Sequence, residues 1–244
     1  MDSGADHAVQ GLLQQAGYRL SASGLNLSFV LSLPRAFRDL MRELLSGWIF
    51  DDIADPGASA DLQVLPTGNA YRVFSPFYDS GRRFDDFVDT LNEALVALAY
   101  LVRSALPGRD LVHAAGLQRT NGPTVVFGTK KAGKSVLTAR AAAAGARIWG
   151  DDLLLWDGKR REFTGLGLAP RLRRPVLPDL LTTLGQDRIL AGRHTCYLRA
   201  GKIDLAPAGT VLRPDHLVEL EPDQTERQIG LLSARAAIAG RIIP

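Results

Sequence analysis

Apolar and polar positions alternate from Leu25 to Leu33, with Leu25, Leu27, Phe29, Leu31 and Leu33 set against Asn26, Ser28 and Ser32. A period of two marks a half-buried strand, and Pro34, which has no amide hydrogen for a ladder, ends it. Phe37, Leu40, Met41, Leu44 and Leu45 follow at helical spacing and predict a helix. Leu62–Leu65 and Tyr71–Phe74 flank a Thr67-Gly68-Asn69 turn and read as a hairpin. Phe84 to Ala105 predict a long helix with Phe87, Leu91, Leu95, Leu98 and Val102 as its inward stripe, stopped by Leu106-Pro107-Gly108. Residues 1 to about 17 read as a loose leader or short helix.

Beyond residue 107 the pattern changes. Residues 111–165 alternate strand-like and helix-like stretches with glycines at the joints, which suggests an α/β nucleotide-binding core. A helix over 176–184, short strands at Thr195–Arg199 and Lys202–Leu205, and a short helix from Leu231 to Ile243 complete the expected elements. The change of pattern divides the chain into an N-terminal α+β region, 1–106, and a second domain, 107–244.

Composition narrows the classes. A hydrophobic share of 46% with 23% charged residues is ordinary for a soluble globular chain of 244 residues. The net charge of +3 suits phosphate-bearing ligands, but no Lys/Arg block is interleaved with aromatics, so nucleic acid is not expected as a partner. The lone Cys196 excludes an intramolecular disulfide or a thiolate metal cluster and reads as a small buried apolar residue. The start, Met1 to Asp6, lacks the basic and apolar segments of a signal peptide. The most apolar stretch, Ala94 to Val102, falls short of the roughly 20 residues a membrane span needs. A cytoplasmic location without a membrane partner is therefore expected.

The strongest chemical signal is Gly128-Thr129-Lys130-Lys131-Ala132-Gly133-Lys134-Ser135, a complete G-x-x-x-x-G-K-S. The apolar run Pro123–Phe127 precedes it as a buried strand; an Ala-rich helix from Val136 to Ala144 follows, closed by Gly145. Glycines let backbone amides turn inward around phosphates, and the helix N-terminus adds partial positive charge beneath them. In such a P-loop Lys134 reaches the β- and γ-phosphates of ATP, and the Ser135 hydroxyl ligates Mg2+. Sixteen residues after Ser135 come Asp151 and Asp152, a carboxylate pair suited to holding the metal and accepting the proton of an attacking hydroxyl. Neighbours on a strand point opposite ways, so both carboxylates can face one ligand only if the backbone bends, as Gly150 permits. His113, in Leu111-Val112-His113-Ala114-Ala115, can hydrogen-bond a γ-phosphate or tune a carboxylate. A Ser/His/Asp hydrolase finds no support, because no G-x-S-x-G occurs and the four histidines lack metal-ligand spacing.

Taken together, Leu111–Ala115, Gly128–Ser135, Gly145-Ala146-Arg147 and Asp151-Asp152 resemble the HPr serine kinase/phosphorylase catalytic domain. The likeness covers about residues 105–180 and is greatest to HPr-kinase-related kinases of peptide clusters, lasso-peptide clusters among them. The resemblance implies a P-loop kinase core of the HPr kinase/PEP carboxykinase-like type behind a small α+β N-terminal region. It also implies ATP- and magnesium-dependent phosphorylation of a serine hydroxyl on a peptide or protein, and a homo-oligomer. By position, residues Gly128 to Val136 would bind the nucleotide, Ser135 and Asp151 the metal, and Asp152 would be the base, with the two aspartates exchangeable. His113 and Lys134 would sit at the transferred phosphate; Arg171, Arg173 and Arg174 are candidates for gripping substrate or product phosphate. Lys130-Lys131 replaces the family's usual Ser-Gly, and the downstream motif associated with phosphorolysis is not recognisable. Two alternatives use the same residues: a small-molecule kinase, and a nucleotide-dependent regulator without transfer.

Overall fold

The alternation ahead of Pro34 builds half of an antiparallel pair. β1 (Gln15–Ala22) faces β2 (Leu27–Pro34), with Tyr18 opposite Leu31 and Leu20 opposite Phe29, all buried. Residues 15–17 are thus strand, where a leader or helix was expected. Tyr18, Leu20 and Ala22 alternate with Arg19 and Ser21, and β2 supplies the ladder partners. The computed structural model describes residues 14–54, 59–221, 225–230, 237–240 and 242–243. They form a mixed α/β molecule with several sheets and few helices.

α1 (Arg35–Leu44) starts directly after Pro34 and buries Phe37, Met41 and Leu44. Leu45, expected as its next apolar position, leaves the helix in extended conformation and bridges to Leu168. β3 (Ile49–Ile53) pairs with the free side of β1, while β4 (Leu62–Thr67), β5 (Ala70–Phe74) and β6 (Arg82–Phe84) complete a six-stranded sheet in the order β3-β1-β2-β4-β5-β6. α2 (Phe87–Ala105) begins three residues later than its pattern suggested. Asp86 is its N-cap and accepts hydrogen bonds from the amides of Val88 and Asp89, and Phe84 belongs to β6. Leu91, Leu95, Leu98 and Val102 are buried along α2 as the periodicity requires.

The second half supplies β7 (Arg109–Val112), β8 (Ala115–Arg119), β9 (Gly122–Gly128), α3 (Lys134–Ala143), β10 (Ile148–Gly150), β11 (Leu154–Asp157) and β12 (Glu162–Gly165). These are followed by β13 (Arg171–Arg173), α4 (Pro178–Leu184), β14 (Ile189–Ala191), β15 (Thr195–Leu198), β16 (Val211–Leu212), β17 (His216–Leu220) and β18 (Glu226–Gln228). Three sheets result, ordered β10-β8-β9-β17-β18, β16-β12-β11-β7 and β13-β15-β14. Among the described residues only β2–β4 and β9–β17 pair in parallel. The alternating α/β pattern read from residues 111–165 is therefore largely hairpins around one helix. Lys202–Leu205 is not a strand: Ala200–Lys202 is a 3-10 turn, and Leu205 makes only a single bridge to Ile148. Of the expected final helix, residues 237–239 are helical, Ile242 instead bridges Val112, and 231–236 and 241 lie outside the described residues. Cys196 is buried in β15, where burial pushes its thiol up. No described helix is long and apolar enough to cross a membrane.

One apolar cluster runs from Tyr18 and Phe37 through α2 to Ile148, Leu155 and Leu220, across residue 107. Hydrogen bonds join the two regions as well. Trp48 Nε1 donates to Leu166 O at 2.8 Å, Ser46 N to Gly167 O at 2.8 Å and Ala169 N to Leu44 O at 2.9 Å. Gly167 has φ +67°, and a Cβ there would meet Ser46 O at 2.1 Å, so only glycine fits. The segment 166–169 is thereby clamped two residues ahead of Arg171.

Phe37 is fully buried and stacks on Phe87 with ring centroids 3.9 Å apart, joining α1 to α2. Phe37→Ala is expected to lower unfolding free energy by about 3–5 kcal/mol, measured by urea denaturation.

Candidate functional site

β9 runs into the Gly128–Ser135 segment and α3 leaves it. A Cβ at Gly128 would meet Leu220 O at 2.7 Å, so glycine lets β9 lie tightly against β17. Lys131 and Gly133 take positive φ, +72° and +101°, and Ala132 N donates to Thr129 O at 3.2 Å. The segment therefore curls back on itself before the helix. Gly133 caps α3 without a side-chain hydrogen bond, and no acid occupies the first turn. Such a helix start favours an anion. Lys134 is buried, and its Nζ donates to Gly128 O at 2.9 Å and Thr129 O at 3.3 Å, which ties the two ends of the loop together.

Asp151 and Asp152 occupy a bend between β10 and β11. The pairing of β10 with β8 slips between Ile148 and Gly150, and this irregularity turns the chain after Gly150. The register of β11 on β7 sets Leu154 opposite Val112, so His113 emerges beside Asp152 where the chain crosses from one sheet to the next. His113 Nε2 donates to Asp152 Oδ1 at 2.5 Å, and Arg171 Nη2 donates to Asp152 Oδ2 at 2.7 Å. The Arg171 amide donates to Asp151 Oδ2 at 3.1 Å.

The two carboxylates differ sharply. Burial and the neighbouring Asp152 charge push Asp151 up to about 6, against the pull of the Arg171 amide and the Ser135 hydroxyl. Its Oδ1 is buried with no hydrogen-bond partner among the described residues. Burial also acts to raise Asp152, but the His113 hydrogen bond and charge, with Arg171 and Lys134, outweigh it and hold Asp152 down to about 2.

A single groove is lined by Lys130 to Val136 on one side and by His113, Asp152, Arg171 and Arg173 on the other. Thr129 and Lys130 also border a shallower depression with His113 and Gly128. Arg174 does not line the groove; its guanidinium donates to Gly192 O at 2.8 Å and borders a separate cavity. Among the described residues no group of three or more His, Cys, Asp or Glu side chains forms a ready-made metal site. Asp151 and Ser135 are the fitting pair for a magnesium ion, which is commonly held by one or two carboxylates plus phosphate oxygens and water. The orphaned Asp151 Oδ1 is the place where such a cation would be compensated.

Two participants carry no signal in the sequence. Asn92 on α2 accepts from Arg171 Nη1 at 2.8 Å and from the Tyr197 hydroxyl at 2.9 Å, and so fixes the guanidinium that faces Asp152. Asn92 lies 79 residues from Arg171, and no spacing rule connects them. A scan against protein-family models matches none of them to this chain, and a search of curated proteins finds no significant match.

Because the folded-state pKa of Asp151 is raised from 3.8, its proton stabilises the fold fully below about pH 4, and that contribution is lost as pH rises through about 6. Asp152 has the opposite sign, contributing above about pH 4 and fading as pH falls through about 2. Asp151→Asn is thus expected to raise the stability of the ligand-free chain by about 1–3 kcal/mol above pH 7, with the gain vanishing below about pH 4. Thermal unfolding across pH checks this.

Proposed function

We propose that this chain is an ATP- and magnesium-dependent kinase that phosphorylates a hydroxyl group, with a P-loop at Gly128–Ser135 and a core of the HPr kinase/PEP carboxykinase-like type. The observation that carries the proposal is the groove in which the glycine-bounded loop faces Asp152, itself held by His113 and Arg171. The resemblance of the motifs favours a serine on a peptide or protein as the acceptor.

On this reading each wall of the groove has its own role. The amides of the loop and the start of α3 cradle the phosphates, and Lys130, Lys131 and Lys134 supply positive charge along the same wall. A bound magnesium ion would supply charge neutralisation at the phosphates, with Asp151 and Ser135 as its protein ligands. Asp152 stays ionised and takes the proton of the acceptor hydroxyl. The acceptor oxygen then forms its bond to the γ-phosphorus, and the bond from that phosphorus to the bridging oxygen breaks with its electron pair leaving on ADP. A carboxylate held near 2 is a weak base at rest, so the mechanism gains from His113. Its Nε2–H donates to Asp152 Oδ1 and holds the carboxylate in orientation toward the acceptor hydroxyl. Arg171 keeps Asp152 aimed and offers charge to the phosphoryl oxygens as they spread in the transition state.

Incubation with γ-labelled ATP, magnesium and serine-containing peptides is expected to leave label on a hydroxyl. Asp152→Asn should cut the transfer rate by about 100- to 10,000-fold while binding of a fluorescent ATP analogue is retained. Lys134→Ala should weaken that nucleotide binding itself. Intact nucleotide binding with no transfer to any peptide or alcohol would refute the kinase reading and leave a binding protein.

A further inference from the structure

A second cavity, of about 190 Å³, meets the groove at His113, Asp152 and Arg171, which border both. Its walls are otherwise different. Leu95, Val96 and Tyr100 of α2 line it, with Leu168, Ala169 and Ile243. Most polar groups around it are engaged with one another, since Arg171 bonds Asp152 and Asn92 and the Tyr197 hydroxyl bonds Asn92; the exception is Asp151, whose Oδ1 has no partner among the described residues. What the cavity offers a ligand is therefore an apolar wall with the Asp151 and Asp152 carboxylates at one end.

Phosphoryl transfer needs its acceptor in line with the leaving group, on the opposite side of the γ-phosphate from the rest of the nucleotide. With the nucleotide along the Lys130–Val136 wall, this cavity gives a second approach to Asp152. Resting on the kinase reading above, the geometry points to this cavity as the acceptor pocket, taking a hydroxyl borne on, or directly beside, a compact apolar group. An apolar cavity of about 150 Å³ accommodates benzene, so one ring or one branched aliphatic group fits. A polyol would leave any hydroxyl out of reach of the Asp151 and Asp152 carboxylates without a partner against Leu95, Val96 and Leu168, and a charged acceptor would find Arg171 already paired. The same chemistry can come from a free alcohol or from a serine flanked by an apolar side chain.

Calorimetric titration of the full chain with benzyl alcohol and with glycerol tests the pocket directly. Transfer from labelled ATP to the two alcohols, and to two peptides with Phe-Ser-Leu or Gly-Ser-Asp at the centre, separates the sources. Benzyl alcohol is expected to bind about tenfold or more tightly than glycerol, and the apolar member of one acceptor pair to be labelled about tenfold faster than its polar counterpart. Val96→Phe and Leu168→Phe, both at partly buried positions, should each abolish benzyl alcohol binding yet leave the ATP-analogue affinity within about twofold. Equal binding of the two alcohols, benzyl alcohol binding undiminished in both variants, or preferred labelling of the polar acceptors overturns the assignment. If the ATP analogue binds and nothing is labelled, it is the kinase reading that falls, and the alcohol titrations still decide what the cavity holds.

Discussion

Two carboxylates on successive residues, both withdrawn from water, cannot share one fate. Each raises the other's cost of ionising, and the surroundings must favour one of them. Here the choice is made by two donors: His113 on one oxygen of Asp152 and Arg171 on the other. Asp151 receives the weaker pull of the Arg171 amide and the Ser135 hydroxyl and keeps an oxygen with no partner among the described residues. The result is one carboxylate held down to about 2 beside one pushed up to about 6. That asymmetry is the condition for giving the pair two different tasks.

Holding Arg171 in place requires most of the molecule. Its guanidinium leans on Asn92 of α2, so the long helix contributes a fixed acceptor as well as apolar packing. The chain leading to Arg171 is clamped by Ser46 and Trp48 through Gly167 and Leu166, contacts made by residues just after α1. The N-terminal sheet and its two helices therefore belong to the site's framework, even though no groove-lining residue precedes His113. A displacement of α2 would be felt first at the Arg171–Asp152 bond, because a guanidinium fork tolerates little change of angle.

Local chemistry was legible in the chain; long-range pairing was not. Alternation over Leu25–Leu33 reported burial in part: Phe29, Leu31 and Leu33 are buried, but so is Ser32, while Leu27 is half-buried and Leu25 precedes the strand. The stripe from Leu91 to Val102 reported it faithfully, because it needs only a periodic pattern and a core to face. The strand–loop–helix context of Gly128–Ser135 was visible for the same reason. The neighbours of β9, antiparallel β8 and parallel β17, were hidden, since a βαβ unit and a pair of hairpins around a helix read alike in sequence. β1 was missed because only Tyr18, Leu20 and Ala22 mark it. Within the site, His113 and the aspartates announced themselves by spacing to the loop. Asn92, Tyr197 and the apolar cavity did not, as they meet Arg171 only through tertiary packing.

The charge distribution gives the groove a direction. Lys130, Lys131 and Lys134 stand on the loop side, while Arg171 faces them beside an ionised Asp152. Cations outnumber ionised carboxylates along the walls, which suits a polyanion lying between them. A triphosphate alone would press its charge against Asp152 and gain nothing from Asp151 while that residue holds a proton. On the proposed reading, a divalent cation entering with the phosphates would change both terms, since it would favour the ionised form of Asp151 and give its orphaned oxygen a partner. On the proposed reading, cation and nucleotide therefore bind more tightly together than either does alone, and their coupling should weaken as pH falls through about 6, where Asp151 regains its proton.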